Sequence, residues 1–113
     1  MSDCLFCKII NGEIPSTLIY EDEKVIAFKD ISPQSPVHFL VIPKEHIESA
    51  DFIDKNKVPL IGHIFYVASK IAKEQGLECG YRVVNNCGNH GGQTVNHIHF
   101  HVLGGRQMMW PPG

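Results

Sequence analysis

The segment His97-Ile98-His99-Phe100-His101-Val102-Leu103 alternates imidazole and apolar side chains with a period of two. An extended strand sorts such a series onto two faces, with His97, His99 and His101 on one and Ile98, Phe100 and Val102 on the other. A strand of this kind needs a sheet beside it and a core beneath it, and the rest of the chain must supply both. Neighbouring imidazoles on the polar face would stand about 6.5–7 Å apart. Three adjacent histidines cannot all carry charge cheaply, so most are expected to be neutral and hydrogen-bonded.

The remaining pattern supplies that sheet. Leu18 to Glu21 and Lys24 to Asp30 predict two strands joined at Asp22-Glu23, with Ile26, Phe28 and Asp30 sharing one face. Ile31-Ser32-Pro33-Gln34-Ser35-Pro36 is a loop by its turn residues, and His38 to Pro43 is a third strand closed by proline. Tyr81 to Asn85 is a fourth, and the histidine segment is the fifth. Between the third and fourth, Leu60, Ile61, Ile64, Phe65, Ala68, Ile71 and Ala72 recur at three- and four-residue spacing. That stripe predicts a helix over about 58–75, with Pro59 in its first turn and Gly76 just past its end. Residues 4–11 predict a short helix, with Ser2 or Asp3 to accept its first free amides and Gly12 for a left-handed exit. Consecutive short strands favour an antiparallel sheet of about five strands. With one long helix on a face and a short N-terminal helix, the expected class is α+β.

With 113 residues the chain fits a single domain, 1–113, of which 104–113 is a tail ending Trp110-Pro111-Pro112-Gly113. Ten basic against twelve acidic residues is not the excess of a protein that binds phosphate backbones, so nucleic acid is not an expected partner. A 43% apolar share excludes a disordered chain. The apolar runs are too short to span a membrane, and the first residues lack a basic n-region, so the protein is expected in the cytoplasm with reduced thiols.

On their residues alone, the three histidines fit either of two chemistries. One is a water-activating metal held by ring nitrogens that converge within about 2 Å of a point. The other is nucleophilic attack by one imidazole, its neighbours orienting it and handling protons. Gly88 to Thr94 matches neither the dinucleotide fingerprint nor the P-loop, but lies directly ahead of the histidines. Backbone amides around Gly92 and the Thr94 hydroxyl are therefore expected to face a bound phosphate. Cys4-x-x-Cys7 reads as a redox pair, as two buried helix cysteines or as half of a zinc site, and no strand precedes it as a thioredoxin-like pair requires.

A histidine at every second residue with Gly92-Gln93-Thr94 ahead of it resembles the histidine triad (HIT) superfamily. Phe28 to Lys44 is similar to the first sheet segment of its Hint branch, and Leu103 to Gly113 to that branch's tail. The resemblance implies a purine nucleoside phosphoramidase in which His99 attacks the α-phosphorus and expels an amine, water then releasing the nucleoside monophosphate. It implies that the His97 carbonyl binds the second ring nitrogen of His99, that His101 donates to phosphate or leaving group, and that His38 supports the cluster. It places Asp30 on the ribose hydroxyls, Leu5, Phe6, Ile9, Phe28 and Ile31 around the base, and Asn86 and Gln93 near the phosphate. It further implies a structural zinc on Cys4, Cys7, His46 and His97, no organic cofactor, and a homodimer in which each tail reaches toward the other subunit's site. Competing readings are a dinucleoside polyphosphate hydrolase, a purine-nucleotide-binding regulatory module with incidental turnover, and a metal-dependent hydrolase.

Overall fold

Runs of β-branched and aromatic residues form five strands: β1 (Leu18–Glu21), β2 (Val25–Lys29), β3 (Val37–Pro43), β4 (Tyr81–Val84) and β5 (Phe100–Gly104). A computed structural model describes residues 3–113, and in it every strand pairing is antiparallel, in the order β1-β2-β3-β5-β4. With α1 (Leu5–Ile10) and α2 (Val58–Glu74), this is the α+β architecture expected from the pattern. None of the helices among the described residues is long and apolar enough to cross a membrane.

The sheet is covered on both faces, which is why β2 and β3 are apolar at nearly every position. Val25, Ala27, Phe39, Val41, Phe100 and Val102 meet the buried stripe of α2, Ile64, Val67, Ala68 and Ile71. On the other face Ile26, Phe28, Leu40 and Ile42 pack around Phe6 of α1. The sequence expectation placed a helix on one face only; the short first helix closes the second.

Helix α2 starts with proline in its first turn and no side-chain cap. It ends where Gly76 turns left-handed at φ 77°, with Gly76 N–H on the Lys73 carbonyl and Leu77 N–H on that of Ala72. The short helix is capped differently from the sequence expectation. Its N-cap is Cys4, whose sulfur accepts the Cys7 N–H at 3.3 Å. Asp3 is exposed, and Ser2 lies outside the described residues. Two 3-10 turns, Ala50–Phe52 and Lys55–Lys57, precede α2 and are capped by Ser49 and Asp54.

The largest departure from the alternation pattern concerns the histidines. β5 begins only at Phe100, so His97 and His99 lie in the approach to the strand rather than within it. Extending the β3–β5 register would pair Pro43 with Ile98. Instead the Ile98 N–H goes to the Ile47 carbonyl at 2.6 Å, and the Pro43 carbonyl accepts from the His97 ring at 2.8 Å. On the far side the Asn85 side chain donates to the His99 carbonyl at 2.9 Å.

Candidate active site and metal cluster

Two carbonyl contacts in the histidine segment also assign ring protons. The His97 ring donates Nε2–H to Pro43, which leaves its Nδ1 with the lone pair. The His99 ring donates Nδ1–H to the His97 carbonyl at 2.7 Å, which leaves the lone pair on Nε2. Burial holds both rings neutral by pushing their pKa values down, and Phe6 packs edge-on against His99 with centroids 5.0 Å apart. A neutral imidazole with a fixed tautomer and a free Nε2 is a poised nucleophile.

His101 and His38 form a second assigned pair. The Gln34 backbone N–H donates to His38 Nδ1 at 3.0 Å, so the proton of the neutral His38 ring sits on Nε2. That nitrogen lies 2.9 Å from His101 Nδ1, which therefore accepts, and the His101 proton is left on Nε2. Burial pushes the His38 pKa down against the pull of Asp30. Burial, reinforced by the neighbouring His99 and His38 rings, pushes His101 down to about 4. The Asp30 carboxylate stands 3.4 Å from His38 Nε2 and 3.8 Å from His101 Nδ1, and its other oxygen accepts the Ser32 N–H at 2.8 Å. Ring centroids of His99 and His101 are 5.2 Å apart, edge to face.

The fold thus brings His97, His99, His101, His38 and Asp30 together. Asn85, absent from the sequence expectation, joins them through the His99 carbonyl; the one available signal was an asparagine between a strand and a glycine-rich loop. Its neighbour Asn86 is half-buried at the same strand end. Of the apolar residues expected around a base, Phe6 and Phe28 are buried in the core and meet edge to face, Ile9 packs partly buried beside them, Leu5 is exposed, and Ile31 is 99% exposed.

The glycine loop differs from its expected role. The Gly92 and Gln93 amides donate inside the loop, to the Asn89 and Gly88 carbonyls, rather than facing a ligand. The Gln93 side chain accepts from Gly88 N–H and donates to the Glu48 and Val95 carbonyls, so it fastens the loop to the segment after β3. Gly91 has no room for a side chain, since a Cβ there would sit 2.3 Å from the Cys87 carbonyl oxygen. Thr94 remains exposed.

On the α1 side of His97 lies a separate cluster. Its Nδ1 is 3.4 Å from Cys4 Sγ, 3.6 Å from Cys7 Sγ and 3.2 Å from His46 Nδ1, and Cys7 Sγ is 3.4 Å from His46 Nδ1. Zinc bonds of about 2.3 Å to sulfur and about 2.0–2.1 Å to nitrogen, at tetrahedral angles, require edges of about 3.5 Å between N and S and about 3.3 Å between two nitrogens. The four edges given above meet that requirement, and all four donor atoms lie within 4.8 Å of one another. Two elements of chain geometry bring them there: the Cys4–Cys7 spacing over the first helical turn, and the Pro43 carbonyl that turns His97 Nδ1 toward the thiols. Cys79 is exposed and Cys87 half-buried, both outside the cluster.

The family model for the scavenger mRNA decapping enzyme C-terminal binding domain matches residues 3–110. A 14 kDa zinc-binding protein of Zea mays is 54% identical, over 99% of this chain and 89% of that protein. The adenylylsulfatase HINT1 of Arabidopsis thaliana is 48% identical, over 99% of this chain and 78% of that protein. A crystal structure of a HIT family hydrolase from Legionella pneumophila superposes with a TM-score of 0.97 at 52% identity, covering 98% of this chain and all of the other.

Proposed function

The chain belongs to the histidine triad (HIT) family of hydrolases, and on that premise we propose that it cleaves the P–N bond of purine nucleoside 5′-phosphoramidates. The observation that carries the reading is the pair of opposed ring protonations. His99 keeps its lone pair on Nε2 because Nδ1–H is tied to the His97 carbonyl, while His101 keeps its proton on Nε2 because Nδ1 accepts from His38. One ring offers a nucleophile and its neighbour a donor, which is what displacement at phosphorus requires.

His99 Nε2 attacks the α-phosphorus, the P–N bond breaks, and the departing nitrogen takes up a proton from solvent, which the water of the second half returns, and leaves as an amine. His101 Nε2–H hydrogen-bonds the reacting phosphoryl group and stabilises the charge that builds there. Water then adds to phosphorus and the P–Nε2 bond breaks, releasing the nucleoside monophosphate. Over both halves one water is consumed, its oxygen ending on phosphorus and its proton on the amine. Asp30 receives the ribose hydroxyls, with Leu5, Phe6, Ile9, Phe28 and Ile31 toward the base and Asn86 and Thr94 toward the phosphate. Cys4, Cys7, His46 and His97 would hold a zinc ion in a structural role, because four protein donors would leave it no open position.

The name of the Arabidopsis relative supports a second adenylyl substrate, with sulfate in place of the amine as leaving group. The test is direct. The protein is incubated with tryptamine phosphoramidates of AMP and GMP, with adenylyl sulfate, and with a dinucleoside polyphosphate. Fastest release of nucleoside monophosphate from the phosphoramidates is expected; a preference for either of the other two would replace this reading.

We further propose a two-fold homodimer. β4 is an edge strand with a sheet neighbour on one side only, and Phe65 and Tyr66 of α2 are exposed. In the tail Met109 and Trp110 are 71% and 81% exposed, an unusual pair to leave in water on a monomer. Sedimentation at micromolar concentration is expected to give twice the chain mass, and Trp110→Ala to change amine preference more than base preference. A monomer, or an unchanged leaving-group profile, would refute the arrangement.

A further inference from the structure

The proton on His101 is assigned through His38, and His38 through the backbone N–H of Gln34 on Nδ1, with the Asp30 carboxylate 3.4 Å from Nε2 favouring the same tautomer. The loop carrying Gln34 has no regular structure and lies between β2 and β3. Its local bonds, Gln34 Nε2 to the Ser32 carbonyl and Ser35 Oγ to that of Val37, do not fix the direction of the Gln34 peptide groups. An outside contact holds the second of these groups, Gln34–Ser35, which is joined to the one carrying the Gln34 N–H through the φ and ψ of Gln34. Arg106, immediately past β5, donates from Nη2 to the Gln34 carbonyl at 3.1 Å and from Nη1 to the Gln107 carbonyl at 3.2 Å. The N–H of Gln34 thus faces inward to His38, and its C=O faces outward to a guanidinium.

A second, independent contact brings the tail over this loop. Gly105 lies against Pro36, where an added Cβ would stand 2.9 Å from the proline Cβ, and its φ of 93° suits a residue without one. The close approach at Gly105 is what lets the next residue reach the Gln34 carbonyl. Beyond it, Arg82 holds the Met109 carbonyl at 2.9 Å, so two arginines bind the tail to the domain.

We propose that Arg106 is a positioning residue for the reaction: by holding the Gln34 carbonyl it keeps the Gln34 N–H on His38 and so keeps the proton of His101 on the nitrogen that faces substrate. The kinetic part of this rests on the hydrolase reading above; the tautomer part does not. If Arg106 is lost, the loop can turn its amide away, His38 Nδ1 can take the proton, and Nε2 of His38 then accepts instead of donating. His101 would in turn place its proton on Nδ1 and present a lone pair to the phosphate, which repels rather than stabilises the reacting group.

The test uses the zinc-loaded full chain with nitrogen-labelled histidine and reads the ring tautomers by long-range nitrogen–proton correlation, without substrate. In the native protein His38 and His101 are both expected to be protonated on Nε2. Arg106→Ala should mix the two tautomers on His38 and lower kcat about tenfold with KM little changed. Arg106→Lys, or free guanidinium added to Arg106→Ala, should restore most of both. Native tautomers in Arg106→Ala would overturn the proposal, whatever the rate does. If the native chain hydrolyses no phosphoramidate, the functional reading falls, and the ring spectra alone decide the role of Arg106.

Discussion

Replacing His99 by alanine is expected to lower phosphoramidate turnover by on the order of 10⁴-fold or more while leaving nucleotide binding within a few-fold of native. The asymmetry follows from where the interactions sit. On the proposed reading, binding draws on Asp30 and the apolar residues of α1 and β2, of which Phe6 loses its ring contact with His99 in the variant but keeps the one with Phe28. Bond breaking draws on the His99 Nε2 lone pair, which nothing else nearby replaces: His97 Nδ1 points into the thiol cluster, and the neutral His101 and His38 carry their protons on Nε2. Because His99 is buried against Phe6, alanine leaves a small cavity, and His99→Asn serves as a second variant that fills it. Quenched reactions of the native protein should contain chain carrying one nucleotidyl group, absent in both variants. Near-native turnover in either would reject covalent catalysis by this residue.

How much of this was legible before folding depends on how far each determinant lies along the chain. The stripe from Leu60 to Ala72 and the apolar runs of β2 and β3 are local patterns, and helix and strands appear close to where the pattern puts them. The start of β5 was not legible. What ends the pairing there is a set of bonds to Pro43, Ile47 and Asn85, and period-two alternation cannot distinguish a strand from the extended segment leading into it. The C-x-x-C spacing left three chemistries open because two donors do not make a site. The decisive partners, His46 and His97, come from the segment after β3 and the approach to β5. Glycines and amides are common to a loop that faces a phosphate and to one that bonds to itself, and the internal bonds that engage Gly92 and Gln93 depend on where Gly88 and Asn89 fall. Arg106 gave no signal at all, since its role needs the tail to fold back over Pro36.

Metal analysis of the protein purified without chelator is expected to find about one zinc per chain, and removing it should lower the thermal midpoint by about 10 °C. The size follows from linkage: free zinc at about a hundred times its dissociation constant adds about 2.7 kcal/mol, and each kcal/mol moves the midpoint of a domain this size by about 4 °C. The four donors come from α1 and its cap, the segment after β3 and the approach to β5, so an ion held by them would cross-link these parts of the fold. Cys4→Ser should lose metal and stability together, with Cys79→Ser, outside the cluster, as the unaffected control. Cobalt substitution supplies a readout independent of activity: thiolate-to-metal absorption should be strong in the native chain and reduced in Cys4→Ser. Turnover should fall only several-fold, because His97 reaches His99 through its carbonyl and not through the ring that holds the ion. A protein that is purified metal-free and keeps its midpoint in chelator would reduce Cys4 and Cys7 to ordinary residues of a short helix.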